Sequence, residues 1–373
     1  MAPTLVIDLL GFTGGRGGTE TYAREVIPRL PSLLAGVELR ALVSTPGRDL
    51  VREFFPGDVL EMKGVGDSPA SWAKGEVFLA ERAARSLGAS AIWTPANFGP
   101  IRRGLPRVVT IHDLIYHQIP GPLSQRPFRR ATAELMSRSA RTADAVISVS
   151  EATADEVHRR LAVPRSRLHV VPHGTTPPPE VASPPARRGD LVLSTGNRMP
   201  HKNHVGLLEA VARMEEGSRP SVVITGGGSD DPLAAHVRRL GLEGVVDLPG
   251  WVSHDELERL YSQASIYVCP SLLEGFGLPV LDALARGCVV VANDIPVLRE
   301  VGGSECLYVD ATDADALGRA IRRGLTLDGD VQRRERGRHW AAGFTWEASA
   351  AGTAAVLSRV LRLPAPTTPK DSR

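Results

Sequence analysis

Glu274 and Asp282 flank a glycine turn within SIYVCPSLLEGFGLPVLDALARGCVVVANDIPVLREVGG, the stretch from Ser265 to Gly303. Two acids beside a ring of main-chain N–H groups are suited to holding hydroxyls and anionic oxygens. Ser265–Pro270 is short, apolar and β-branched, as a strand covered on both faces should be. Gly275-Phe276-Gly277 lets the chain turn tightly and exposes its amides. Pro279 suits the first turn of a helix, and Gly287 suits its C′ position. Glu274 is thereby expected in the loop at a strand's carboxyl end, with Asp282 about one turn into the following helix. Open α/β sheets bind their ligands at such strand ends.

A second group carries positive charge. The segment Leu191–Thr195 reads as a strand and runs into Gly196-Asn197-Arg198, with Lys202-Asn203 just before the next helix. A guanidinium can fork two phosphate oxygens, and an ammonium adds a compact charge. Most Arg and Lys are solvated surface cations. Lysine is rare here, however, since Lys63, Lys74, Lys202 and Lys370 are the only ones, and Lys202 falls at a strand end.

Other candidates say less. The first loop, Gly11–Gly18 (GFTGGRGG), could cradle a ligand or only turn the chain. A nicotinamide-binding reading expects an acid at the end of the second strand, about 20 residues past the glycines. That strand ends in Ser44-Thr45-Pro46 instead, which weighs against it. His112-Asp113 ends the strand-like RVVTIHD and is expected to point into a cleft between domains. His173-Gly174 is read as a wall or hinge. His201, His204 and His254 are scattered and form no ligand set. Asp313-Ala314-Asp315 could hold Mg²⁺ but stands just before a helical run, where capping explains it. No metal or cofactor is expected.

These residues need a frame of strands and helices. The chain has 373 residues, 42% hydrophobic and 23% charged, enough for two domains with a core each. A net charge of +2 gives no hint of a nucleic-acid partner. Strand-like segments recur at 4–10, 39–44, 91–95, 108–111, 145–149 and 169–171, with helical patterns between them, notably over 70–86. That alternation predicts a doubly wound parallel sheet. Thr175–Asp190 (TTPPPEVASPPARRGD) breaks the pattern and reads as a linker. The alternation then restarts through 191–195, 222–225, 245–248, the Ser265–Gly303 unit and 306–309. The expected division is a domain over 1–174, a linker over 175–189, a domain over 190–363 whose last helix could pack back on the first, and a disordered tail over 364–373.

Cys269, Cys288 and Cys306 suit no zinc spacing or disulfide framework and read as core residues. The N-terminus MAPTLVIDLL has no basic n-region, so no signal peptide is expected. No apolar run is long enough to span a bilayer, and a cytoplasmic protein is the default.

Several motifs stand together in order: Gly17–Glu20 (GGTE), His112–Leu114 (HDL), Ser148–Thr153 (SVSEAT), Val170–Gly174 (VVPHG), Arg198 with Lys202-Asn203, and EGFGLPVLDALARG from Glu274. In this order and spacing the chain resembles the family 4 retaining glycosyltransferases, whose fold is called GT-B, over nearly its whole length. The resemblance implies two Rossmann-like domains facing a cleft, a nucleoside-diphosphate sugar on the C-terminal one and an acceptor on the N-terminal one. It implies that Arg198 and Lys202 clamp the diphosphate. Glu274, with the turn Gly275, Phe276, Gly277 and Leu278, would hold the donor hexose. Asp282 stands where the family usually has Glu for the ribose hydroxyls. Gly17 and Gly18 would let the first loop approach the donor phosphate. His112 would lie beside the transferred sugar, with Asp113 and Tyr116 on the acceptor side. Such enzymes retain the anomeric configuration, need no metal, and use front-side attack.

The expected activity is therefore a retaining, metal-independent transfer of a hexose to a glycan or lipid-linked saccharide. GDP-mannose leads, because HDLIY and the first loop look mannosyltransferase-like. UDP-glucose, UDP-N-acetylglucosamine or a deoxysugar donor with a small-molecule acceptor is the alternative. An inactive nucleotide-sugar-binding scaffold is the rival of another class, kept by Asp282. The segment RPFRRATAELMSRSAR, with Arg126, Arg129, Arg130, Arg138 and Arg141, reads either as a solvated helix face or as a peripheral contact with anionic membrane.

Overall fold

The computed structural model describes residues 2–14, 17–66, 68, 71, 74–102, 104–119, 126–178 and 187–363. The chain forms two compact units, Met1–Gly174 with Thr345–Arg373, and Thr175–Phe344.

Among the described residues the first unit holds seven strands: β1 (Thr4–Leu9), β2 (Glu38–Val43), β3 (Asp58–Glu61), β4 (Ala91–Thr94), β5 (Arg107–Ile111), β6 (Ala145–Ser148) and β7 (Leu168–Val170). They pair in parallel in the order β3-β2-β1-β4-β5-β6-β7. TLVIDL, AIWT, RVVTI and AVIS are buried at every position, which is why these segments read as apolar without alternation. The edge strand β3 (DVLE) was not foreseen, being short, acidic at both ends and only half covered. The helix expected over 70–86 is already helical at Ser71 and Lys74, passes through a π-turn at Gly75–Leu79 and continues as Ala80–Ser86, and the π-turn holds Glu76 inside. Residues 70, 72 and 73 lie outside the described residues.

The second unit holds β8 (Arg188–Thr195), β9 (Ser221–Thr225), β10 (Val246–Gly250), β11 (Ala264–Cys269), β12 (Val289–Asn293) and β13 (Cys306–Val309). Their order is β10-β9-β8-β11-β12-β13, again all parallel. The sheet therefore reverses direction between β8 and β11. One face packs on a core that includes Val192, Leu207, Val211, Val268, Val291 and Ile321. Ser253 and Asp313 cap the helices that follow them, Asp313 accepting from the N–H groups of Asp315 and Ala316. The three cysteines are buried and free. β8 begins at Arg188, inside the expected linker. Residues 179–186 and the tail from Pro364 lie outside the described residues.

The second unit closes at Phe344 and not at residue 363. The helix Trp346–Leu361 belongs to the first unit, packed on helix Gly18–Val26 and on β4, β5 and β6. The Tyr22 and Thr353 hydroxyls meet at 3.0 Å within that packing. At Gly174 the main chain passes so close to the returning chain that a Cβ would stand 2.2 Å from Trp346 N and 2.5 Å from Thr345 C. Gly174→Ala should thus lower stability by about 1–3 kcal/mol, because both clashing atoms are backbone. Denaturant midpoints of the variant and wild type check this, and an unchanged midpoint would show that the close approach is not needed.

Candidate active site

β8 and β11 are neighbours whose outgoing loops diverge, and that is where an open α/β sheet forms a crevice. The loop after β8 carries Arg198 and Lys202, and the loop after β11 carries Glu274. Leu272 N–H donates to the His201 carbonyl at 2.7 Å and stitches the two loops together. Lys202 Nζ reaches Glu274 Oε1 at 2.7 Å, with side chains 16% and 11% exposed. Two residues picked out separately in the sequence are thus one ion pair. The turn behind Glu274 is buried, and Gly277 ends it at φ 101°, a left-handed conformation that glycine adopts without strain. Helix Leu278–Ala285 starts there, with Pro279 in its first turn.

Asp282 lies on that helix. Its Oδ1 accepts from the Thr175 hydroxyl at 2.6 Å, and Arg286 Nη1 stands 3.7 Å away. Arg286 is itself fixed by Glu258, with Nε donating to Oε2 at 2.7 Å. Thr175, the first residue of the expected linker, thus has a hydrogen-bonding role on this helix.

Arg198 departs from expectation. Its fork closes on Asp231 and on carbonyls of the adjoining strand ends, so no open fork awaits two phosphate oxygens. Asp231 was missed, although an acid after the run Gly226-Gly227-Gly228 was a visible signal. His204 is buried beside Arg198 and Lys202. Burial first, then those two cations, pull its pKa down to about 3, so it is neutral.

In the first unit, Gly17 is extended and Gly18 opens helix Gly18–Val26, while Gly15 and Arg16 lie outside the described residues. Asn97 links the ends of β4 and β5, its Oδ1 accepting from His112 N–H at 2.6 Å. Asp113 Oδ1 accepts from Ile115 N–H at 3.1 Å, and the Tyr116 ring lies under Arg129 at 5.2 Å. His112, at the end of β5, is buried. Its Nε2 meets the Pro95 carbonyl at 2.8 Å, and its ring stacks on His173 at 5.3 Å between centroids. Burial pulls its pKa down to about 4. The ring is therefore neutral at pH 7 and held by the Pro95 carbonyl and His173.

One cluster went unnoticed in the sequence. Asp8, near the end of β1, accepts from Leu10 N–H at 3.2 Å, and Glu76 accepts from Gly11 N–H, so both carboxyls hold the root of the first glycine loop. They are 1% and 2% exposed. Asp8 Oδ2 and Glu76 Oε2 have no hydrogen-bond partner among the described residues. Burial pushes Asp8 up to about 7, and burial together with Asp8's charge pushes Glu76 well above the usual carboxylate range. An acid inside the apolar run TLVIDLL was the signal.

Tandem doubly wound units, with an acid–cation pair at a topological switch, make an α/β protein with a crevice where open sheets commonly bind ligands. Comparison with known proteins narrows this. Residues 16–177 match the profile described as Glycosyltransferase Family 4, and residues 182–340 match Glycosyl transferases group 1. An MMP alpha-(1->4)-mannosyltransferase of Mycolicibacterium hassiacum is 29% identical over 274 residues, 70% of this chain and 67% of the relative. O-antigen chain mannosyltransferase B of Escherichia coli is 30% identical over 259 residues, 64% of this chain and 67% of the relative. The solved structure of Anabaena Alr3699/HepE in complex with UDP-glucose superposes with a TM-score of 0.68 at 16% identity, covering 95% of this chain and 99% of that one. The chain belongs to glycosyltransferase family 4 and has the GT-B fold.

The acid pair yields a pH signature. A carboxyl whose folded-state pKa is raised stabilises the fold below its unfolded value and loses that contribution as pH rises through the folded value. For Asp8 the window runs from the ordinary carboxyl value of 3.8 to about 7. Asp8→Asn keeps an acceptor for Leu10 N–H and removes the titration. Its Tm should rise relative to wild type by roughly 4 °C or more between pH 5 and pH 8. A pH-independent difference in thermal unfolding would show that Asp8 titrates normally.

Proposed function

We propose that this glycosyltransferase transfers a hexose from a nucleotide sugar with retention, and that GDP-mannose is the donor to test first. The acceptor class that fits best is a glycan or lipid-linked saccharide. The Lys202–Glu274 pair carries the reading: a cation suited to phosphate and an acid suited to sugar hydroxyls stand together at one strand-end crevice, beside the Gly275–Gly277 turn, and this supports it. Departure of a nucleoside diphosphate builds negative charge, and a prepositioned cation with main-chain N–H groups stabilises it without reorganising. That role needs no metal. Two relatives whose names say mannosyltransferase favour mannose. The superposed structure with UDP-glucose keeps a uridine donor in view.

The second unit is assigned the donor and the first unit the acceptor, with Asp113 and Tyr116 as candidates. No helix among the described residues is long and apolar enough to cross a membrane. Contact with anionic lipid has thin support. On helix Arg126–Thr142, Arg129 donates to the Ile115 and Ile119 carbonyls, and Arg138 and Arg141 meet Glu134. Arg126 and Arg130 are exposed beside Phe128.

Thermal shift against GDP- and UDP-sugars in EDTA tests the donor. A ligand that binds only the folded state raises Tm with its occupancy. A shift with one nucleotide family supports the reading and names the base, whereas a response to nicotinamide cofactors alone would overturn it. Within that assay Asp282→Ala should bind donor more weakly, and Asp282→Glu should stay within about tenfold of wild type. Wild-type affinity in Asp282→Ala would remove Asp282 from the ribose role.

A further inference from the structure

We propose that Asp231 is a positioning residue that commits the Arg198 guanidinium to the carboxyl ends of β8 and β9, so that Lys202, and not Arg198, meets a donor's diphosphate. The second half rests on the donor reading above, while the first half stands on geometry.

Arg198 Nε lies 3.0 and 2.9 Å from the two Asp231 oxygens, and Nη2 lies 2.7 Å from Oδ2. Nη1 donates to the carbonyls of Gly196 at 3.0 Å and Thr225 at 2.9 Å, and Nη2 to that of Ile224 at 2.9 Å. Every N–H of the fork is therefore directed at protein oxygen. The two side chains are 9% and 7% exposed. Asp231 Oδ1 also accepts from Leu233 N–H at 3.0 Å. Burial would raise the Asp231 pKa, but the hydrogen bonds from Arg198 and Leu233 outweigh it and hold the carboxyl below its usual range. The partner of Arg198 stays charged.

The backbone shows what this arrangement builds. A Cβ on Gly227 would fall 1.9 Å from Asp231 Oδ2 and 2.9 Å from Arg198 Nη2, so the ion pair packs directly on the turn after β9. A Cβ on Gly226 would fall 2.4 Å from the Gly196 carbonyl, and Gly226 N–H donates to the Gly250 carbonyl at 2.7 Å. Three strand ends thus run in contact, with Arg198 tying the first two. Lys202 differs in kind. Its ammonium is a compact charge on a flexible stem, able to shift between acceptors, whereas turning the Arg198 fork to a ligand would break its hold on Asp231 and the strand ends.

The test compares wild type, Asp231→Asn, Arg198→Lys, the double variant and Lys202→Ala. Thermal unfolding and calorimetric titration with GDP and UDP are run in EDTA at two salt concentrations. The proposal expects Asp231→Asn and Arg198→Lys each to lower Tm and to weaken nucleotide binding by about tenfold, with the double variant no worse than either. Both should keep the wild-type salt dependence, which Lys202→Ala should lose, because only a cation facing the phosphates contributes to it. Two results overturn the proposal: Arg198→Lys abolishing binding at unchanged Tm, or Asp231→Asn binding as tightly as wild type or tighter. Should Asp231→Asn fail to fold, a Lys202→Ala variant that retains the salt dependence still overturns it. Should wild type bind neither nucleotide, the donor reading falls and the thermal cycle decides the rest. Non-additive losses then support the Arg198–Asp231 unit, and additive losses end it.

Discussion

Lys202 and Glu274 are 72 positions apart in sequence, and their ammonium–carboxylate contact exists only because β8 and β11 are adjacent in the sheet. A parallel sheet needs a crossover between strands, and β8 is the strand from which the order departs in both directions. Loops leaving β8 and β11 therefore turn away from each other and leave room between them. Everything else in the second unit's site depends on that opening. The Leu272–His201 hydrogen bond fixes the two lips, the Gly275–Gly277 turn hangs from one of them, and Asp282 follows on the helix that the turn begins. Removing one partner of the ion pair would leave a largely buried charge uncompensated.

The charges of this site are matched from within. Arg198 answers Asp231, Lys202 answers Glu274, and Arg286 answers Glu258. An anion entering there would meet cations that carboxylates already engage. The first unit does the reverse at Asp8 and Glu76, where two acids face burial with no cation among the influences that shift them.

The strands with continuous apolar runs were legible, since VVVAN, TLVIDL and RVVTI can only be covered on both faces. The glycine turn before Leu278 and the helix caps at Ser253 and Asp313 were legible for local reasons as well. What sequence could not supply was partnership at a distance. Arg198 was visible as a cation, but its engagement with Asp231 depends on β8 and β9 lying side by side. His112 was visible as a strand-end histidine, but its burial depends on His173, Tyr22 and the Pro95 carbonyl. The edge strand β3 escaped because half-exposed strands need little apolar character. That helix Trp346–Leu361 could pack back on the first unit was open from sequence, but only the fold decides it, because nothing local tells a helix which sheet it covers.

That last helix sets an order of events. Tyr22 waits for Thr353, and strands β4 to β6 wait for the helix Trp346–Leu361, whereas Thr175–Phe344 contains all of its own strands. During synthesis from the N-terminus, the unit that emerges first is the one finished last. The helix that covers β4, β5 and β6 is made only after the whole of the other unit, so those three strands go without that cover until then.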